Sequence, residues 1–209
     1  MRDGAGDTAA RIVSLEPATL DGILESILTV GELTGASEIA QREVRLLRDR
    51  LSAVRASVAD ARHMPTVAAL EWLDPPFAPG HWVPEQIEAA GGRAMLGEAG
   101  QASARITWDD VTWVQPEMVL MMPCGYDLAG AVRGFLALAA NTVWRDLPAT
   151  YLNQLYAVNA AAYFSRPGPR VVDGVEILAG LLHPNRCPRP RADQAQRVSH
   201  LVQTELRPE

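Results

Sequence analysis

Between positions 37 and 61 the chain has neither Pro nor Gly, and Val44, Leu47, Leu51, Val54 and Val58 recur at alternating three- and four-residue steps. That narrow apolar seam predicts one long helix with a polar remainder. Glu38 with Arg42, and Arg45 with Asp49, set opposite charges one turn apart, as a solvated helix face does. Ahead of this helix Leu20, Ile23, Leu24 and Ile27 fall at helical spacing. Glu16-Pro17 puts a proline at the first turn of that element, and Gly31 and Gly35 close it. Residues 11–15 read as a strand. A lone strand leaves its backbone groups unpaired, so it implies neighbours from another part of the polypeptide or another chain.

Beyond the long helix, strand and helix patterns alternate. Residues 66–70 form an apolar run rich in Val and Ala, as expected of a strand buried on both faces. Asp74, Pro75, Pro76, Pro79 and Gly80 then break regular structure, so that Trp72, Phe77, His81 and Trp82 sit on a stiffened loop at the strand's carboxyl end. A helix over 84–90, a short strand over 104–107 and a helical turn over 108–114 follow. A second buried strand over 117–122 runs into Pro123-Cys124-Gly125-Tyr126, where Gly125 permits a close turn. A helix over 128–140, a third strand over 155–158 and a closing helix over 169–182, with Val172, Val175, Leu178 and Leu182 inward, complete the pattern. Such alternation predicts an α/β fold with a mainly parallel, Rossmann-like sheet. In open sheets of this kind ligands bind at the carboxyl ends of the strands. Past Pro184 the composition turns to Pro, Arg and polar residues, so 185–209 reads as a loose tail.

Composition narrows the function classes. The 209 residues allow one good core and a small second one. A net charge of -6 argues against a nucleic-acid surface, which needs clustered Lys and Arg. No uninterrupted apolar run approaches the roughly 20 residues that span a bilayer. The start, MRDGAGDTAA, has no apolar segment like a secretory signal, so a genuine start at Met1 implies a cytoplasmic chain. The two cysteines, Cys124 and Cys187, lie in different contexts, and a disulfide between them is not expected.

Taken in order, RIVSLEPATLDGIL, the long helix, ALEWLDPPFAPGHWVPEQIEAAGG, ITWDDV, QPEMVLMMPCGYDL and AYFSRPGPRVVDGVEIL resemble the cobalamin-type substrate-binding proteins of ABC importers. This is the class III, helical-backbone group, which also includes binders of siderophores and haem. The resemblance covers about 11–184, with GHWVPE, PCGYDL and YFSRPGPR its most specific segments. It implies a disordered start at 1–10, a remnant of a first α/β lobe at 11–35, a connecting helix at 36–62 and a second α/β lobe at 63–184. It also implies a noncatalytic protein outside the cytoplasm that captures a corrinoid as transported ligand, with no cofactor of its own, and meets the membrane only by docking on an ABC permease. Trp72, Phe77, His81, Trp82, Tyr126, Tyr163 and Arg166 would contact the ligand. Asp109 would be the docking carboxylate, a position where the group usually carries Glu.

Each residue also admits a plainer role. Trp72 can plug the space between strand and helix, Arg166 can form a surface ion pair, and Asp109 or Asp110 can simply favour the first turn of a helix. Cys124 with His81 or His183 as base would instead suit an α/β enzyme or sensor. A non-functional remnant of a longer receptor is a further alternative. The four histidines, His63, His81, His183 and His200, are scattered without metal-ligand spacing, and no Gly-rich phosphate loop follows a strand.

Overall fold

In the computed structural model, which describes residues 12–205, two helices come first: Leu20–Leu33 (α1) and Ser37–Val58 (α2). Strands Thr66–Leu70 (β1), Trp72–Leu73 (β2) and Pro76–Ala78 (β3) lead to helix Val83–Ala89 (α3), and strands Arg93–Ala94 (β4) and Ala104–Arg105 (β5) follow. Helix Trp108–Trp113 (α4), strand Met118–Met121 (β6), helix Leu128–Leu136 (α5), a 3₁₀ turn at Thr142–Asp146 and helix Pro148–Tyr151 (α6) come next. Strand Leu155–Val158 (β7), helices Ala160–Tyr163 (α7) and Val171–Leu182 (α8), strand Ala195–Arg197 (β8) and helix Ser199–Glu205 (α9) close the described chain.

The main sheet has the order β4-β1-β6-β7-β8, parallel except for β8. Its central strands are buried on both faces, and alternate residues feed two separate cores. Val67, Ala69, Met118, Leu120 and Val158 enter one core with α1, α2, α3 and α8. Ala68, Leu70, Val119, Met121 and Ala157 enter the other with α4, α5, the 3₁₀ turn and α9. Trp144 anchors the second core, edge-on to Phe135 at 5.2 Å and to Trp108 at 5.4 Å. This is the expected α/β fold with a mainly parallel sheet.

Several elements depart from the sequence reading. Residues 12–15 form no strand: nothing among the described residues pairs with them, and Ile12 is 95% exposed. Arg11 and the start at 1–10 lie outside the described residues. Pro17 precedes the helix rather than opening it, because Thr19 is the N-cap and accepts from the Gly22 N–H at 3.0 Å. Prolines 75 and 76 do not abolish regular structure; β2 and β3 make an antiparallel hairpin across them, with β5 as third strand of a small separate sheet. Residues 104–107 therefore do not extend the main sheet. The helix read over 128–140 stops at Leu136.

The segment after 184 is not loose. It returns as β8 along β7, and Val198, just ahead of α9, and Val202 within that helix are fully buried in the second core. Ser199 Oγ accepts from the Leu155 N–H at 3.0 Å. A Cβ on Gly180 of α8 would stand 2.0 Å from the Pro188 carbonyl oxygen, so the Pro-rich connection packs as closely as only glycine allows.

Side-chain bonds tie the helices together. The Leu20 N–H donates to Glu85 Oε2 at 2.6 Å, joining α1 to α3. Arg50 reaches from α2 to Glu176 and Asp173 on α8, each at 2.6 Å, and these carboxylates, Glu176 foremost, raise its pKa above the ordinary arginine value. The sequence pairs Glu38/Arg42 and Arg45/Asp49 are thus less informative than Arg50, whose partners lie more than 120 positions away.

At the opposite end of the sheet Glu117, ahead of β6, accepts from the Thr66 N–H at 2.8 Å and from His63 at 2.8 Å. Burial opposes ionisation of this carboxyl, but the Thr66 backbone bond, His63 and the Thr66 hydroxyl hold its pKa below the usual value. A carboxyl whose pKa is lowered by folding stabilises the native state above its unfolded pKa and loses that contribution as pH falls through the folded one. Glu117→Gln should cost about 1 kcal/mol at neutral pH, and urea titration should show the gap from wild type closing in acid. A gap that stays constant into acid would count against the ionised bond.

Candidate functional site

Chain turns at the carboxyl ends of β1, β6 and β7 converge on one side of the sheet. The Cys124 N–H donates to the Glu71 carbonyl at 2.9 Å, the Ala161 N–H to the Tyr126 carbonyl at 2.9 Å, and the Gly125 N–H to Ser165 Oγ at 3.0 Å. These bonds join three loops into one floor. Above it lies a cleft of about 550 Å³, bordered on one side by residues 15–18 and on the others by Glu71, His81, Trp82, Cys124 and Ser165.

His81 is held in an unusual way. Its backbone is left-handed, with φ of 51°, a region costly for a residue carrying a Cβ. Both of its backbone polar groups are fixed by the facing loop: the N–H donates to the Gln101 carbonyl at 2.7 Å, and the carbonyl accepts from the Gly100 N–H at 2.9 Å. Gly80 makes the approach possible, since a Cβ there would meet the Gln101 oxygen at 2.2 Å. The half-buried imidazole stands tilted against the Trp82 ring, 5.8 Å between centroids, and neither ring nitrogen has a hydrogen-bond partner among the described residues.

Trp82 is only 8% exposed, and its indole N–H donates to the Phe164 carbonyl at 2.9 Å. One helical turn on, the wholly buried Gln86 uses its amide nitrogen on the Val171 carbonyl at 2.8 Å and the Tyr163 carbonyl at 3.3 Å. Together they pin both ends of the segment carrying Ser165 and Arg166. Tyr163 is half-buried against the first core. Arg166 is exposed beside Ser165 and Pro167, which line the cleft, and has no ion-pair partner among the described residues.

The remaining aromatic candidates separate from this group. Trp72 and Tyr126 meet edge to face at 5.8 Å and line a neighbouring pocket of about 250 Å³ with Pro123 and Leu138. Trp72 is thus neither a core plug nor part of the main cleft. Phe77 sits half-buried in β3, opposite Trp72 and Arg105 in register, and lines neither space. Cys124 is exposed in the main cleft, whereas His183 is buried elsewhere with its Nε2 3.0 Å from the Gly91 carbonyl oxygen. Only His81 of the two candidate bases shares the cleft with that thiol.

The two acidic residues of ITWDDV divide their roles. Asp110 completes a capping box with Thr107, whose hydroxyl and backbone N–H lower its pKa. Asp109 is exposed, and its carboxylate has no partner among the described residues. Glu71 escaped the sequence reading. It is the first residue beyond β1 and could have been found by the strand-end rule; one of its oxygens accepts from Ser103 Oγ at 2.7 Å. Among the described residues the charged side chains lining the cleft are Glu16 and Glu71, with no Lys or Arg. Among the described residues no three His, Cys, Asp or Glu side chains converge as a cage for a metal ion, and no helix is long and apolar enough to cross a membrane.

The Gly80-His81 turn makes a stability prediction. Gly80→Ala should cost about 1–3 kcal/mol because backbone, not a flexible side chain, must give way. His81→Gly should stay within about 1 kcal/mol of wild type, relief of the left-handed strain offsetting the entropy of a new glycine. Chemical denaturation of both variants checks the pair; equal losses would contradict this account of the turn.

Known proteins can now be set beside this geometry. The sequence profile of a family described as periplasmic binding protein matches residues 8–162. Two curated proteins named cobalamin-binding protein, from two strains of Halobacterium salinarum, are 26% identical over 168 residues, 79% of this chain and 45% of theirs. The chain thus spans less than half the length of those relatives. Among solved structures, the periplasmic vitamin B12 binding protein BtuF of Vibrio cholerae aligns with a TM-score of 0.64 at 22% identity, over 83% of this chain and 65% of that one. An ABC transporter substrate-binding protein from Listeria monocytogenes EGD-e reaches 0.73 at 15% identity, over 83% and 68%. The periplasmic heme-binding protein RhuT from Roseiflexus sp. RS-1 gives 0.64 at 22% identity, over 80% and 64%. These structural likenesses concern the fold, while the sequence profile covers well over half the chain, which therefore belongs to the periplasmic binding protein family.

Proposed function

We propose that this chain is the substrate-binding component of an ABC importer and captures a corrinoid, a flat macrocycle with an apolar face and an amide rim. The observation that carries the reading is the cleft at the strand ends, where an unbonded imidazole and the Trp82 ring face a space of about 550 Å³, within the usual range for ligand sites. The name of the Halobacterium relatives supports the ligand class. So does the charge of the lining: among the described residues it carries Glu16 and Glu71, and a ligand carboxylate placed deep in the cleft would meet their charge at a cost. Neutral amides avoid that cost. Arg166 lies at the rim, where its planar fork suits amide or phosphate oxygens. His81 and Trp82 are the contacts of the main cleft in this reading, and Trp72 and Tyr126 extend it sideways as a second apolar surface. Phe77 and Tyr163 support these walls.

The organisation that fits this reading makes residues 12–35 the end of one lobe, α2 the connecting spar and 63–184 a second lobe, working outside the cytoplasm. Docking on a permease falls to Asp109. Its free carboxylate supports this, as does Trp113, one turn along α4 and 87% exposed, an acidic and aromatic pair of the sort that anchors interfaces.

A second reading, an α/β enzyme or sensor, draws on one observation: Cys124 and His81 line the same cleft. It requires turnover that Cys124→Ser abolishes and indifference to corrinoids.

Titrating aquocobalamin into the chain should quench tryptophan fluorescence and saturate; a flat response at high micromolar ligand would remove the corrinoid reading. Asp109→Ala should leave that quenching unchanged and weaken capture of the chain by its cognate permease in detergent, whereas an equal loss of both would place Asp109 in ligand binding instead.

A further inference from the structure

His81 offers more than a contact. Its left-handed backbone is clamped at both polar groups, so the imidazole has a fixed direction before any ligand arrives. The ring borders the cleft, and both of its nitrogens lack partners among the described residues. The left-handed backbone and its two clamping bonds hold the ring at the cleft border. The rest of the cleft limits what that nitrogen can serve. Among the described residues no cluster of three ligating side chains converges to cage a bare ion. A single well-directed nitrogen suits a metal whose in-plane positions are already filled by a macrocycle and which lacks only an axial partner.

We propose that His81 supplies an axial nitrogen to the metal centre of a macrocyclic cargo, an assignment that rests on the corrinoid reading above. On capture a metal–nitrogen bond forms as the metal–water bond on that face breaks. The water leaves to solvent, and the oxidation state of the metal is unchanged. The second ring nitrogen remains available to donate a hydrogen bond to the cargo rim or to water. Selection then depends on the axial face as well as on shape: a corrinoid with an exchangeable water is held by one bond more than the same macrocycle with that position blocked.

The test follows one titration with two readouts. Aquocobalamin is added to the chain while tryptophan fluorescence reports binding and the corrin absorption bands report the axial ligand. Quenching accompanied by a band shift is expected, with cyanocobalamin, whose upper position is blocked, giving quenching without a shift. His81→Gly should abolish the shift and weaken aquocobalamin on the order of tenfold, and its glycine suits the left-handed backbone, so loss of fold does not explain the change. Quenching without a shift in the wild type overturns the axial role while leaving the corrinoid reading intact. A shift that survives His81→Gly and vanishes in Cys124→Ser overturns it in favour of the thiol. Absence of quenching overturns both readings together.

Discussion

Everything in this fold depends on three short strands having no solvent face. β1, β6 and β7 send alternate side chains into two cores, and both cores exist only because helices cover the sheet on each side. A strand so enclosed has nowhere to place a polar side chain along its length, since an unpaired polar group buried there costs on the order of 1–3 kcal/mol. Chemistry is therefore displaced to the strand ends. Glu117 closes the amino-terminal end with hydrogen bonds to Thr66, and the carboxyl ends, where the chain must turn outward, collect Glu71, His81, Cys124 and Ser165. The groups that fasten the sheet and the candidate site are thus separated by the direction of the strands.

The periodic elements were readable in the sequence for the same reason. The uninterrupted apolar runs of β1 and β6, and the seam from Val44 to Val58 on α2, report burial directly, because hydrophobic spacing is the physical signal of which face is covered. What failed was whatever depends on partners distant in sequence. Residues 12–15 have strand-like composition but no strand to pair with among the described residues, and they are exposed. The strand Ala195–Arg197 is polar and only three residues long, so its pairing with β7 left almost no periodic trace, and Val198 and Val202 looked like isolated apolar residues in a tail. The prolines of the β2–β3 hairpin concealed a small sheet because proline tolerates the first position of a strand, where its local rule expects a break.

The site was legible as a place rather than as a constellation. The aromatic-rich turn after β1 pointed to the end of the sheet where the candidate cleft lies, but the sequence could not show that the rings divide. Trp82 and His81 turn to one space, Trp72 and Tyr126 to another, and Phe77 to neither. Side-chain direction there follows from backbone geometry that no spacing encodes, above all the left-handed φ at His81 and the glycine beside it. In ITWDDV, composition alone left two equivalent carboxylates, and only the capping box separated the structural one from the free one.

The Gln86 amide has a mechanical consequence. Its nitrogen serves carbonyls at both ends of residues 163–171 and fastens that segment to α3, while its oxygen is buried with no partner among the described residues. Helix and rim consequently form one stiff plate. The opposite border, residues 15–18, has no regular structure. The two borders are therefore built unlike each other, one fastened to a helix through a buried amide and the other carried by irregular backbone alone.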